Sequence, residues 1–145
     1  MPSHIKYLLA AIDGSEPAER ALDVAVALAR ATGGTLSIMT VAATFSSYQQ
    51  EKFRRAEGDI DPAEAFGNRL LRDARERVQR AGIKPVKSML CWGDPAETII
   101  DTIAQEQLDA IVIGRRGRGQ LSGLLLGSVS QKLVSLAPCV VIVVP

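Results

Sequence analysis

The chain reads as an α/β protein, a parallel sheet covered by helices on both faces. Three observations predict this. Short apolar runs alternate with amphipathic segments of helical period along the whole chain, in the order βαβαβαβαβ. The first three amphipathic segments each open on a capping residue with proline close behind. Hydrophobic residues make up 47% and aromatics only 4%, so the core is aliphatic, as suits strands buried on both faces. A chain of 145 residues is expected to form one domain, 1–145, large enough for its own core.

The elements follow in order. Ile5 to Ile12 is the first strand and ends at the turn Asp13-Gly14-Ser15. Ser15 caps the next helix and Pro17 fits its first turn. Ala18, Ala21, Leu22, Ala25, Leu28 and Ala29 repeat there at helical spacing, and Gly33-Gly34 stops it. Leu36 to Ala43 is the second strand. Thr44 to Ile60 is polar and lacks a clean period; it is expected as a long loop with room for a short helical piece around Tyr48 to Ala56.

Asp61-Pro62-Ala63-Glu64 carries a capping-box pattern. Phe66, Leu70, Ala74, Val78 and Ala81 give the helix that follows one apolar stripe, while its arginine-rich outer face alternates with Asp73 and Glu76 and suits solvent. Gly82 ends it. Val86 to Trp92 is the third strand, and Gly93-Asp94-Pro95-Ala96-Glu97 repeats the capping device for a helix that turns Ala96, Ile99, Ile100 and Ile103 inward. Asp109 to Gly114 is the fourth strand. A helix from about Ser128 to Leu136 and a last, β-branched strand from Cys139 to Val144 close the chain.

A formal net charge of +1 gives no general attraction to nucleic acid or to anionic membrane, so neither is expected as a partner. No cationic segment leads into a long apolar region at Met1 to Lys6, and no apolar stretch reaches membrane-spanning length; a cytoplasmic protein is expected. Cys91 and Cys139 lie in apolar runs and read as reduced core thiols. His4, the single histidine, stands before the first strand without a visible partner.

The chemistry concentrates near the C-terminus. Gly114-Arg115-Arg116-Gly117 is followed by nine residues and then by Gly127-Ser128-Val129-Ser130. Glycines at a strand's end let backbone N–H groups approach an anion, and Gly127-Ser128 at a helix start adds free N–H donors, a hydroxyl and the positive end of the helix dipole. Arg115 and Arg116 add charge. This suits the phosphate of a ligand larger than phosphate alone. In open parallel sheets ligands bind at the C-terminal strand ends where the winding reverses. With a central first strand, the turn at Asp13 and the loop after Gly114 share one crevice.

Gly114-x2-Gly117-x9-Gly127-Ser128, with Val129-Ser130, resembles the nucleotide-binding signature of universal stress proteins. The likeness spans the chain: Asp13-Gly14-Ser15 after the first strand, a second strand ending near Val41, Gly93-Asp94-Pro95 before the third helix, and Pro138-Cys139-Val140 into the last strand. The resemblance implies a single Rossmann-like (adenine nucleotide alpha hydrolase-like) domain with a five-stranded parallel sheet in the order 3-2-1-4-5. It implies ATP, with Mg²⁺, as the ligand. By position, Gly114, Arg116, Gly117, Gly127, Ser128, Val129 and Ser130 surround ribose and phosphates, and Arg115 in the same arginine-rich stretch adds charge for phosphate. Ala11, Ile12 and Asp13 lie by the nucleoside, and the main chain at Val41 reads the adenine edge. The resemblance also implies a homodimer through Cys139 to Val144 and a role in stress. The glycine-rich, cationic loop motivates a further expectation, that nucleotide orders the stretch from Gly114 to Gly127 and so makes the response nucleotide-dependent.

Other motifs fail. No G-x4-G-K-[ST] occurs, and Gly117-Arg118-Gly119 with Gly123 does not make a dinucleotide fingerprint. Asp13 suits a turn cap, a ribose hydroxyl or phosphate-bound Mg²⁺, and the sequence leaves these open. Ser128 and Ser130 have no visible base and read as donors rather than nucleophiles. A slow ATPase on the same site and a nucleotide-free dimeric scaffold stay as alternatives. Independently of the family, a long apolar strand at a sheet edge is an aggregation hazard unless it pairs with its own copy.

Overall fold

Five strands, β1 (Tyr7–Ala11), β2 (Thr35–Ala42), β3 (Ser88–Trp92), β4 (Ala110–Gly114) and β5 (Val140–Val144), form one parallel sheet in the order β3-β2-β1-β4-β5. The computed structural model describes residues 5–42, 61–85, 87–115 and 126–145. Four helices are described between the strands: α1 (Glu16–Thr32), α2 (Pro62–Arg80), α3 (Pro95–Glu106) and α4 (Ser128–Leu136). The expected order and topology are those observed, with strand ends shifted by one or two residues. The segment from Thr44 to Ile60, with the helical piece expected near Tyr48, lies outside the described residues.

Strand alternation divides the core. Leu8, Ala10, Leu36, Ile38 and Val112 point to one face, where α1 and α2 cover them with Leu22, Val26, Leu71 and Val78. Leu9, Met39, Ile111 and Ile113 point to the other, against Ile99 and Ile103 of α3 and Leu133 of α4. β1 is central, paired with β2 on one side and β4 on the other. The winding therefore reverses between β1 and β4, and their C-terminal ends open side by side.

Two expectations need correction. The buried stripe of α2 runs through Ala63, Gly67, Leu71, Ala74 and Val78 rather than through Phe66 and Leu70. Gly67 is the cause: a Cβ there would stand 2.5 Å from Leu90 Cδ1, so the helix lies against the sheet at a position with no side chain. The cysteines are free but not core residues; both are half-buried at the margin of the α3–α4 face. Burial pushes both thiols upward in pKa, which keeps them protonated. Trp92 is 48% exposed at the end of β3. Among the described residues, no helix is long and apolar enough to cross a membrane.

Candidate functional site

The turn after β1 is built from local chemistry. Asp13 Oδ1 accepts from the Ser15 N–H at 2.9 Å, while Gly14 takes the left-handed conformation, φ +87°, that closes the bend. Phe66 and Leu70, displaced from the α2 stripe, pack onto Gly14 instead. Ser15 Oγ then accepts from Ala18 N at 3.3 Å and caps α1. Ile12 is tied to β2 by its N–H, which donates to Met39 O at 2.9 Å, and by its carbonyl, which accepts from Thr40 Oγ1 at 2.7 Å. These two bonds tie the residue before the bend to β2.

Gly114 ends β4 against the start of α1. A Cβ there would fall 2.8 Å from Pro17 Cβ and 2.9 Å from Ala18 N. The missing side chain thus lets α1 pack against the end of β4. Next along the chain, the Arg115 N–H donates to Val144 O at 2.6 Å and its carbonyl accepts from Gly127 N at 2.9 Å. The two ends of the segment between them are thereby clamped together. Ser130 strengthens the clamp: its hydroxyl, 3% exposed as a residue, lies 2.9 Å from both Gly114 O and Arg115 O. A single hydroxyl proton serves these carbonyls, so Ser130 acts here on the protein's own backbone.

Gly127 is the N-cap of α4, at φ −74° and ψ 171°, and makes no side-chain cap. Among the described residues, the N–H groups of the first turn, Ser128, Val129 and Ser130, meet no acceptor, and they stand at the positive end of the dipole. The other helix starts at this end of the sheet differ. Ser15 caps α1, and Asp94 Oδ2 caps α3 by accepting from Glu97 N at 3.0 Å.

All three starts open on one cleft of about 350 Å³. Ala11, Ile12, Asp13 and Val41 line one side, Gly114 and Gly127 to Ser130 another. Of the residues expected at the site and described, Arg115 stands apart: it is absent from the cleft wall, and its Nε is buried without a hydrogen-bond partner among the described residues. Arg116 and Gly117 lie outside the described residues. The structure adds a wall the sequence reading did not assign, made by Asp94, Pro95, Ala96 and Ile99 of α3 with Lys132 of α4. The capping motif at Asp94 was legible; its place across from Asp13 depends on the strand order.

The universal stress protein family model matches residues 4–145. The chain belongs to the universal stress protein family. A universal stress protein of Thermus aquaticus is 37% identical over 142 residues, covering 96% of this chain and 98% of its own. Among solved structures, universal stress protein UspA from Lactobacillus plantarum superposes with a TM-score of 0.80 at 25% identity, with 99% of each chain covered. The Archaeoglobus fulgidus universal stress protein, solved in complex with dAMP, gives a TM-score of 0.73 at 21% identity, with 97% of this chain and 98% of that one covered. Its likeness supports the same fold. In this universal stress protein, the described residues of the glycine signature, Gly114, Gly127 and Ser128, stand at the clamp and at the start of α4.

Proposed function

We propose that this universal stress protein binds ATP in the cleft between the ends of β1 and β4, as a nucleotide-responsive module rather than a dedicated enzyme. The observation that carries the reading is the contrast among the three helix starts: two are closed by side chains, and α4 offers its N–H groups to an external anion. Ala11, Ile12 and Val41 supply an apolar wall for the base, with Asp13 placed beside it for the ribose. Ser128 and Val129 hold phosphate through main-chain donors. The dAMP complex of the Archaeoglobus fulgidus relative supports an adenine nucleotide as the class of ligand.

Among the described residues, no three of His, Cys, Asp or Glu gather into a metal cage. In this reading Mg²⁺ arrives on the nucleotide's phosphate oxygens, with Asp13 as the nearest carboxylate of the cleft's first wall. The protein works as a cytoplasmic homodimer through β5, one domain per copy. Support for the dimer comes from the position of β5 at the sheet edge beside apolar exposure, Val140 at 50% and Leu136 at 66%. Nucleotide occupancy then alters the surface offered to protein partners.

The test is to denature the purified protein and identify released small molecules by mass, then to titrate the emptied protein with Mg-ATP in a calorimeter. Near one adenine nucleotide per chain, or saturable binding of added Mg-ATP, is the expected result. Protein that is empty and gives no heat with ATP, ADP or AMP would overturn the reading.

A further inference from the structure

Asp94 and Lys132 belong neither to the glycine signature nor to the Asp13 turn, yet both line the cleft. Asp94 divides its carboxylate. Oδ2 caps α3, and Oδ1 faces Lys132 Nζ at 4.0 Å. That separation is beyond hydrogen-bond reach, and the side chains are 56% and 43% exposed for Lys132 and Asp94. Such a loose surface pair contributes about 0–1 kcal/mol, so a second anion can draw Lys132 away at little cost.

Lys132 also sits where such an anion would be. It follows Ser128 by four residues, on the same face of α4. Helical side chains lean toward the N-terminus of their own helix, which carries Lys132 toward the uncapped turn. Among the described residues that line the cleft, it is the one cation, with Asp13 and Asp94 the two carboxylates.

We infer that Lys132 reads the phosphate charge of the bound nucleotide and that Asp94, its partner across the cleft, competes for it. The inference rests on the nucleotide reading above and adds a selectivity device to it. The N–H donors of α4 serve any phosphate alike. Lys132 favours ligands carrying more charge on the 5′ side, and Asp94 tempers that preference by holding the ammonium and by repelling the phosphates.

The readout is the ratio of dissociation constants, adenosine to ATP, by calorimetry on the full chain and on Lys132→Met and Asp94→Asn. Asparagine keeps an oxygen to cap α3 and removes only the charge. Lys132→Met is expected to shrink the wild-type ratio about twofold to fivefold, and Asp94→Asn to enlarge it by a similar factor. If the pair merely braces α3 against α4, both variants lower the melting temperature and leave the ratio alone, which overturns the inference while the nucleotide reading stands. If wild-type protein binds neither adenosine nor ATP, both fall. Should Lys132→Met fail to fold, Asp94→Asn decides alone: an unchanged or smaller ratio overturns the inference.

Discussion

The starts of α1 and α4 face the same cleft from opposite sides, and they differ in how they are closed. Ser15 closes α1 with its own hydroxyl; Gly127 leaves α4 open. Both ends carry the positive end of a helix dipole, but Pro17 removes one N–H from the first turn of α1, where Glu16 and Glu19 add negative charge, while Ser128, Val129 and Ser130 of α4 keep all of theirs. A closed start is finished structure. An open one, held at the rim of a cleft, is a receptor for whatever anion supplies the missing acceptor. The clamp of Arg115, Gly127 and Ser130 then fixes where that receptor points.

Gly114 keeps the closed and open starts at their present distance, and altering it breaks the comparison most severely. Gly114→Val places carbon inside the van der Waals radius of Pro17 and of the Ala18 backbone. Backbone cannot yield as a flexible side-chain tip does. Destabilisation of about 2–3 kcal/mol is expected, read as a fall in melting temperature of roughly 4–12 °C. Nucleotide affinity should fall with it. A variant as stable as wild type would mean that α1 shifts freely, and that the cleft is less rigidly built than its contacts indicate.

Closing α4 tests the contrast directly. Gly127 has φ −74° and ψ 171°, extended geometry that aspartate can adopt as an N-cap. Gly127→Asp supplies an internal acceptor and a negative charge where phosphate would sit. Affinity for ATP is expected to fall about tenfold or more, a change of at least ~1.4 kcal/mol, while circular dichroism still reports folded protein. Retained affinity would show that phosphate is held elsewhere.

What could be read in the sequence divides along the same line. Caps at Ser15, Asp61 and Asp94 were legible because a cap joins residues two or three apart. The strand order came from the resemblance, and the physical pattern called for the parallel sheet alone. Gly67 was missed as a buried position because an apolar pattern gives no weight to a residue without a side chain. The wall of Asp94 and Lys132 was invisible for another reason: the two residues meet only once α3 and α4 pack on one face of the sheet. Ser130 was picked out in the sequence as a donor beside Gly127-Ser128. Its hydroxyl turns onto carbonyls at Gly114 and Arg115, which a linear pattern does not reveal.

That clamp gives the next effect in size. Ser130→Ala removes a buried hydroxyl and leaves the carbonyls of Gly114 and Arg115 without it. A loss of about 1 kcal/mol in denaturant unfolding is expected. If the hydroxyl served a ligand instead, stability would be unchanged and only affinity would drop.

The smallest effect sharpens the comparison by making α1 resemble α4. Ser15→Ala should lower stability by about 1 kcal/mol, whereas Ser15→Gly should lower it by only a few tenths. Both remove the oxygen that Ala18 N–H now meets at 3.3 Å; glycine, though, leaves backbone and water free to solvate the turn. Ser15→Gly would therefore place a second open helix start on the cleft. If open N–H donors are what an anion recognises here, chemical-shift titration with inorganic phosphate should move the amides at the start of α1 in Ser15→Gly and leave them still in the wild type. Movement confined to α4 in both proteins would show that an open helix end is not sufficient, and that a site also needs what α1 lacks: a full set of first-turn N–H donors, a first turn free of carboxylates and the clamped position of Gly127.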